Sequence, residues 1–529
     1  MMPSEDAPEA VAGPKLDADA GSRLHPFTLL FSTIDVARRL ILPAVFGGLS
    51  AANGDAGRAV LVVIAVLTVP SFALAVAHYL TFRYAVNGEE LVYRSGVFRR
   101  RQRVIPLARV QNIEVRQSLV QRLTGVAELR VETAGSGSEP EAALSVLRRA
   151  DADALRSALL SRRGQARAQQ GDIAGAAVPE VEARPIVHLT PPELAIAGAT
   201  ANEAGLIAAA LVGALQFADD LPLPLERYLP DVETYVAGQT VMGTVLLVAG
   251  IIAMLIVIGW IFSVVGSVVG YYDFTLSRAG DELQKRYGLL SRREASVPLR
   301  RVQSIRVEES LLRRPLNLAS LKIETAGGPA QRQRGGAEAF VPIASAGRVP
   351  ALVQALFPAF VLDAVPLLPV HPRSRRRAFN RYALTIVLLA GGLAVLDRRA
   401  LFLLLALPVA WMIARWQYRM RGYALAEGHV VLRSGVLNRV TWIVPDEKIQ
   451  TLHLTVSPFQ RRHGLASLIV DTASGGSQAT LVDVAATDAE ALLERMAERA
   501  REGRIRSRAR VRAIRAESLV ADEGAAARA

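Results

Sequence analysis

The sequence predicts an α+β membrane protein: six transmembrane helices in three hairpins, each hairpin followed by a small antiparallel β-barrel or sandwich that a C-terminal helix closes. Three observations lead there. The chain is 51% apolar yet 21% charged, with the two kinds of residue segregated along it. Its uncharged apolar stretches come in pairs. Between the pairs one motif returns three times, as "PLARVQ" at 106–111, "PLRRVQ" at 298–303 and "PDEKIQ" at 445–450.

Residues 1–24 are Ala-rich and acidic, the composition of a disordered tail. Residues 25–82 hold the first hairpin, with apolar stretches at 40–53 and 59–82. As a helix the second stretch reaches about 36 Å, enough to cross a hydrocarbon core of about 30 Å. The second hairpin occupies 188–272, with stretches at 194–217 and 240–272. The third occupies 380–418, with stretches at 382–396 and 400–416 joined only by "DRR". Short loops make each pair antiparallel, so the hydrophilic segments all emerge on one side. Arg38, Arg39, Arg83, Arg278, Arg373, Arg375, Arg376, Arg377, Arg381, Arg415, Arg419 and Arg421 flank the pairs. The loop 218–239 holds Asp219, Asp220, Glu226, Asp231 and Glu233 against Arg227 alone. Arg398 and Arg399 point the other way but are outnumbered, so the positive-inside bias puts both termini and all modules in the cytoplasm. Glu203, beside Asn202, falls within the third stretch. It is either a functional ionisable group at membrane depth or part of an interfacial turn that keeps it wet.

The hydrophilic modules are 83–163, 273–360 and 419–500, with linkers at 164–187 and 361–379 and a basic tail at 501–529. Gly96, Gly288 and Gly435 are separated by two intervals. Gln111, Gln303 and Gln450 repeat those intervals, and so do Thr133, Thr325 and Thr472, which marks an internal duplication. Within a unit the period is that of strands. "YAVNGEELVYRSG" offers two runs around the turn pair Asn87-Gly88. "VFRRRQRVI", "IEVRQ", "AELRVETA" and "ALSVLRR" continue, and "SLVQRLTG", "SLLRRPLNLA" and "SPFQRRHGLA" read as brief helical turns. Short strands followed by one helix ("ADADALRSALLSRRG", "SAGRVPALVQALF", "DAEALLERMAERAREG") make a small barrel or sandwich.

The repeated residues read first as structure. Pro106, Pro298 and Pro445 fix φ at a strand exit and turn Gln111, Gln303 and Gln450 inward, where an amide paired at both ends to backbone would staple the connection. Ligand recognition by that amide is the alternative. Gly96, Gly288 and Gly435 are expected at positive φ in a turn. The third copy departs from the others, with Asp446 and Glu447 in place of Leu-Ala and Leu-Arg.

The net charge is +13, and lysine occurs only at Lys15, Lys285, Lys322 and Lys448. Arginine's planar fork suits phosphate, although a GC-rich coding sequence also favours Arg over Lys. Arg99, Arg100, Arg101 and Arg103 in the first copy, with Arg292 and Arg293 in the second, are the lipid-binding candidates. Each basic residue near an anionic leaflet contributes about 1 kcal/mol. A solvated strand face is the competing reading. The third copy has only Arg439 in that strand, with Arg461, Arg462 and His463 nearby. Cysteine is absent, which excludes disulfides and thiolate sites. The histidines at 25, 78, 188, 371, 429, 453 and 463 fall in no metal-ligand spacing, and no phosphate loop or catalytic triad pattern is visible. No cofactor, metal, catalytic residue or nucleic-acid partner is expected. The tail from Arg501 to Arg515 lacks an apolar stripe and is expected to lie loosely on the membrane surface.

These motifs resemble the second bacterial type of pleckstrin-homology (PH) domain. Three copies, each behind a two-helix hairpin, resemble the YdbT-like membrane proteins. The resemblance covers about 25–500 and is carried by the Gly turn, the Pro-x-x-Arg-Val-Gln segment and the strand ending in Glu-Thr-Ala. It implies a bent antiparallel barrel closed by a helix, a membrane-bound protein, and no known catalytic residues. The expectation is a non-catalytic protein of the bacterial cytoplasmic membrane. Its modules are expected to bind anionic lipid headgroups, a partner protein or a second copy, in envelope stress or defence. A transporter or enzyme component and a self-assembling membrane scaffold are the alternatives.

Overall fold

The triplicate motif turns out to be a corner. In all three copies Pro106, Pro298 and Pro445 end a strand with φ of −60°, −64° and −63°. The chain then makes a three-residue 3-10 turn (Leu107–Arg109, Leu299–Arg301, Asp446–Lys448) and leaves as the next strand. Proline suits this place because its fixed φ matches the strand exit and its missing N–H is not needed there. Gly96, Gly288 and Gly435 have φ of 112°, 107° and 99°. A Cβ on Gly435 would lie 1.8 Å from the carbonyl oxygen of Asn438, so only glycine fits that turn.

The computed structural model describes residues 73–133, 142–169, 184–201, 241–326, 339–474 and 478–526, apart from 78, 88–89, 97–100, 359, 361, 363–364 and 396, together with 22, 24–29 and 31. The first module comprises β1 (Arg83–Asn87), β2 (Glu90–Ser95), β3 (Arg101–Pro106), β4 (Val110–Ser118), α1 (Leu119–Leu123), β5 (Val126–Thr133), β6 (Ala142–Arg148) and α2 (Arg149–Gln169). Before the second module come β7 (Arg184–His188), α3 (Pro191–Ala199) and the long apolar α4 (Val241–Tyr271). The module itself comprises β8 (Thr275–Ala279), β9 (Glu282–Tyr287), β10 (Ser291–Pro298), β11 (Val302–Ser310), β12 (Leu318–Thr325), β13 (Ala339–Ser345) and α5 (Val349–Leu356). The third is preceded by β14 (Leu368–Pro369), α6 (Arg373–Ala394), a 3-10 stretch Arg398–Ala406 and α7 (Leu407–Arg419). It comprises β15 (Gly422–Ala426), β16 (His429–Ser434), β17 (Asn438–Pro445), β18 (Ile449–Thr455), α8 (Pro458–His463), β19 (Leu465–Thr472), β20 (Ala479–Ala485) and α9 (Ala486–Ala526).

Each module folds as two antiparallel three-stranded halves, before and after the proline corner, and the halves continue into neighbouring modules. β4 pairs with β10, from Ser118↔Ser291 to Glu114↔Ala295. β11 pairs with β17, from Ser310↔Asn438 to Ile305↔Ile443. Ser310 and Asn438 occupy the positions in the second and third copies that Ser118 and Ser291 occupy in the first and second, so both seams use one register. The result is two seven-stranded sheets, ordered β6-β5-β4-β10-β9-β8-β7 and β13-β12-β11-β17-β16-β15-β14, with β1-β2-β3 and β18-β19-β20 at the two ends. Ion pairs brace the seams. Glu294 on β10 accepts from Arg149 at 3.0 Å and Arg156 at 3.3 Å, both on α2. Glu309 on β11 accepts from Arg439 Nε at 2.6 Å. The Arg306 guanidinium stacks 5.2 Å from the Trp442 ring centre.

The apolar alternation supplies the cores. Leu91, Ile105, Ile113, Leu129 and Leu144 are fully buried in the first, each contributing about 2 kcal/mol. The core of the second module runs through the seam to Ala424, Val431 and Ile443 of the third.

Segments read as linkers or tail contribute structure. β7 pairs with β8, β14 pairs with β15, and Ser22 bridges Tyr84, each across a segment expected to be a hairpin. Leu24 is buried against the first module. A short extended segment ahead of each expected hairpin therefore joins the sheet that follows it. The strands are two to five residues long and contain proline, too brief for a period to register. The tail also differs from expectation: α9 runs unbroken to Ala526. Arg499 bonds Asp446 at 2.9 Å, Arg504 bonds the Ile449 carbonyl at 2.8 Å, and Gly503 passes close to Glu447.

Two helical segments among the described residues are long and apolar enough to cross a membrane, Ala249–Tyr271 and Arg398–Arg419. On α4, Ile252, Ile256 and Phe262 are exposed, as acyl-chain solvation requires. The expected stretches at 40–53 and 59–72, and Asn202 and Glu203 with most of the third stretch, lie outside the described residues.

Asp446 explains the deviant third motif. Leu107 is fully buried at this corner in the first copy, whereas Asp446 is buried against Arg499. Burial pushes its carboxyl up, opposed by the Arg499 guanidinium. Arg499→Met strands a buried carboxylate and is expected to cost about 3–5 kcal/mol. Adding Asp446→Leu should recover most of that loss, read as thermal midpoints of the detergent-solubilised chain. A second consequence concerns His429, packed between the rings of Phe357 and Phe360 at 5.2 and 4.7 Å. Burial lowers its pKa below the ordinary 6.5, outweighing Asp446 and Glu447. The unfolded chain then takes up the proton first, so stability present above pH 6.5 is lost as pH falls. His429→Phe should flatten that part of the stability–pH curve.

Candidate functional site

The turn after the fourth strand of each module is locally determined. Ser118 and Gln121 form a reciprocal capping box, with Gln121 N donating to Ser118 Oγ at 3.3 Å and Ser118 N to Gln121 Oε1 at 2.8 Å. Ser457 and Gln460 repeat it at 3.2 and 3.0 Å. In the second copy Pro315 falls in this segment and the chain makes tight turns instead of a helix. A single turn has no interior in which to bury its apolar residues, so all three copies display them. Leu119, Val120 and Leu123 are exposed in the first, Leu311, Leu312 and Leu316 in the second, and Val456 and Phe459 in the third. Leu123 is 81% exposed and Phe459 68%. Exposed arginines interleave with them: Arg122 in the first copy, Arg461 and Arg462 in the third.

This rim lies where the membrane helices end. Gly288 N donates to the Tyr272 carbonyl at 2.8 Å, and Leu289 N to the Val269 carbonyl at 2.9 Å, docking the second Gly turn on the end of α4. Arg122 donates to the Leu289 carbonyl at 3.5 Å. Arg313 is buried, capping the C-terminal end of α3 through Thr200 Oγ1 at 3.0 Å and the Ala197 carbonyl at 3.1 Å. Arg314 lies 5.9 Å from the Trp416 ring centre on α7. In the third copy Asn380 of α6 approaches His463 of α8 at 3.5 Å.

One carboxylate ties the third hairpin to its module. Asp483 is 1% exposed and has φ of 68°. It accepts from Ser374 Oγ at 2.9 Å, Arg377 at 2.5 Å, Arg421 at 3.0 Å and Gln460 Nε2 at 3.1 Å. Those donors come from α6, the end of α7 and the capping box of α8. Histidines mark the same region: His25 and His371 each accept, through Nδ1, the backbone N–H two residues on, just ahead of a hairpin.

The residues singled out from sequence separate into groups. Arg101 and Arg103 are exposed on β3, and Arg99 and Arg100 lie outside the described residues. Arg292 and Arg293 are half-buried on β10, whose edge pairs with β4, and Arg292 Nε lies 3.4 Å from Glu294. Gln303 is buried, with Nε2 donating to the Arg301 carbonyl at 3.2 Å. Gln450 is instead exposed, because no neighbouring module covers its strand, and the Gln111 side chain lies outside the described residues. The exposed rim leucines and Phe459 escaped notice. Their signal was there in "SLVQRLTG" and "SPFQRRHGLA", apolar and basic residues in a turn too short to hide either. Among the described residues no three His, Asp or Glu group to hold a metal.

A bent antiparallel sheet pair closed by a helix, three times over, with helices fit to cross a bilayer, defines the class. The bacterial PH domain family matches residues 37–163, 228–357 and 381–500, most of the chain, and the chain belongs to that family. Each match takes in part of the preceding hairpin region as well as the module. The chain is 24% identical over 493 residues to the UPF0699 transmembrane protein YdbT of Bacillus subtilis (strain 168), covering 89% of this chain and 97% of that protein. No solved structure matches it. It is therefore a YdbT-like transmembrane protein built of bacterial PH domains.

Asp483→Ala leaves two arginines, a serine and a glutamine without their shared acceptor. A loss of about 3–5 kcal/mol is expected, as for one partner removed from a buried ion pair. Limited proteolysis between α7 and β15 should accelerate in parallel, because the clamp between hairpin and module is gone.

Proposed function

We propose that this protein is a non-catalytic, six-span protein of the cytoplasmic membrane whose three PH modules face the cytoplasm and read anionic lipid headgroups. The observation that carries the reading is the rim. The same turn in each module offers bare apolar side chains, with arginine among them in the first and third, beside the ends of the membrane helices. Such residues gain by entering the headgroup boundary while arginine meets phosphate. The basic flanks of the hairpins support the cytoplasmic orientation, since they and the modules lie on one side by parity. The alternative of a transporter rests on Glu203, which lies outside the described residues, and no observation favours it.

The test uses the full chain in nanodiscs containing phosphatidylglycerol and phosphatidylethanolamine. Arg122→Gln, Arg461→Gln and Arg462→Gln together remove about 3 kcal/mol of lipid attraction, roughly a hundredfold in headgroup affinity. Co-purified phosphatidylglycerol should fall, and added salt should mimic the change. Unaltered lipid retention with loss of a co-purifying protein would instead make the rim a protein-docking surface.

A further inference from the structure

The two seams inside the chain are one joint used twice. In each, the fourth strand of one module lies antiparallel to the third strand of the next, at the same register. A three-module chain built this way ends with one unused half of the joint at each extremity. Among the described residues β18, the fourth strand of the last module, pairs only with β19, and β3, the third strand of the first module, pairs only with β2. We propose that these halves meet between molecules, so that β18 of one copy pairs with β3 of a second copy and the protein assembles head to tail in the membrane.

Several features of β18 support this. It carries the register irregularity near its start that β4 and β11 also carry, so its outer edge has the shape of theirs. β11 is buried from Val302 to Val307, whereas on β18 Gln450, Thr451, His453 and Thr455 are exposed. A bare edge is a template for pairing, and folds usually guard one with charge or proline. Thr451, His453 and Thr455 offer no such guard. Carrying the internal register across sets Thr455 against Arg101 and His453 against Arg103.

Charge does not oppose the fit. In the first seam α2, which begins directly after β6, sends Arg149 and Arg156 to Glu294 on the neighbouring third strand. In the last module α9 begins directly after β20, and counted from its start the exposed Glu490 falls at the position of Asp153. The register places the neutral Gln102 of β3 where Glu294 stands, so Glu490 meets no carboxylate there, while Arg101 and Arg103 project from the opposite face, toward Thr455 and His453. Such an interface is heterologous, so it closes into a ring or extends as a row of molecules, according to its rotation.

The chain contains no cysteine, which leaves engineered thiols unopposed. Facing residues in an antiparallel pair lie about 4.5–5.5 Å apart, within reach of a disulfide. A tagged Arg103→Cys chain is co-expressed with an untagged His453→Cys chain, and native membranes are oxidised. The expected result is a reducible heterodimer, absent when either variant is expressed alone. A chain carrying both substitutions should give a ladder of multiples of the chain mass. Pairing Arg103→Cys with Thr455→Cys, out of register, should link several-fold less. The proposal is overturned by three outcomes: monomer alone for the matched pair with an unchanged unfolding midpoint, dimers from a single variant, or linkage only to a different protein.

Discussion

Strand pairing between modules is the constraint on which the architecture depends. A PH-type barrel standing alone would hang from its hairpin on a short tether and turn freely. Here β4 with β10 and β11 with β17 make two continuous ladders, and backbone hydrogen bonds leave no rotational freedom at either seam. The core of the second module continues into the third through Val431 and Ile443, so the second seam is also a shared interior. The paired strands fix the position of each module relative to the next.

On the proposed lipid-binding reading, that fixed array would give individually weak contacts a combined effect. Single exposed leucines are ordinary on any surface, and one arginine near a leaflet contributes little. Displayed together, they would engage without further loss of freedom, because the seams have already fixed the relative positions of the modules. The Asp483 hub serves the same end at the third hairpin, where α6, α7 and α8 share one carboxylate. The deviant Asp446 shows how a repeat can diverge without losing the fold: an apolar corner contact gives way to an ion pair with the module's own extended helix.

The sequence reveals what is decided locally. Gly96, Gly288 and Gly435 announce their positive φ, and the prolines announce the corner, because each answers to the chain within a few residues of itself. Hairpin turns and capping boxes are legible for the same reason. The seams are not legible, since a ladder is made of backbone groups every residue possesses and leaves only faint marks in side chains. Hence nothing around Arg292 and Arg293 announced that the strand carrying them is paired on both edges. β7 and β14 were hidden by their brevity, and the extension of α9 past residue 500 by a composition without a stripe; its earlier turns, legible as a helix, pack through Leu492, Met496 and Ala500.

The short strand ahead of each hairpin has a consequence for biogenesis. β7 and β14 leave the ribosome before the intervening apolar segments, while β8 and β15 leave after them, so neither seven-stranded sheet can close until those segments have been made. On the proposed topology the nascent chain would hold an unsatisfied strand at the bilayer surface through each insertion event. Completion of each sheet would then report that the crossing before it was made with the right parity, since a missed crossing would leave the two strands on opposite sides of the lipid.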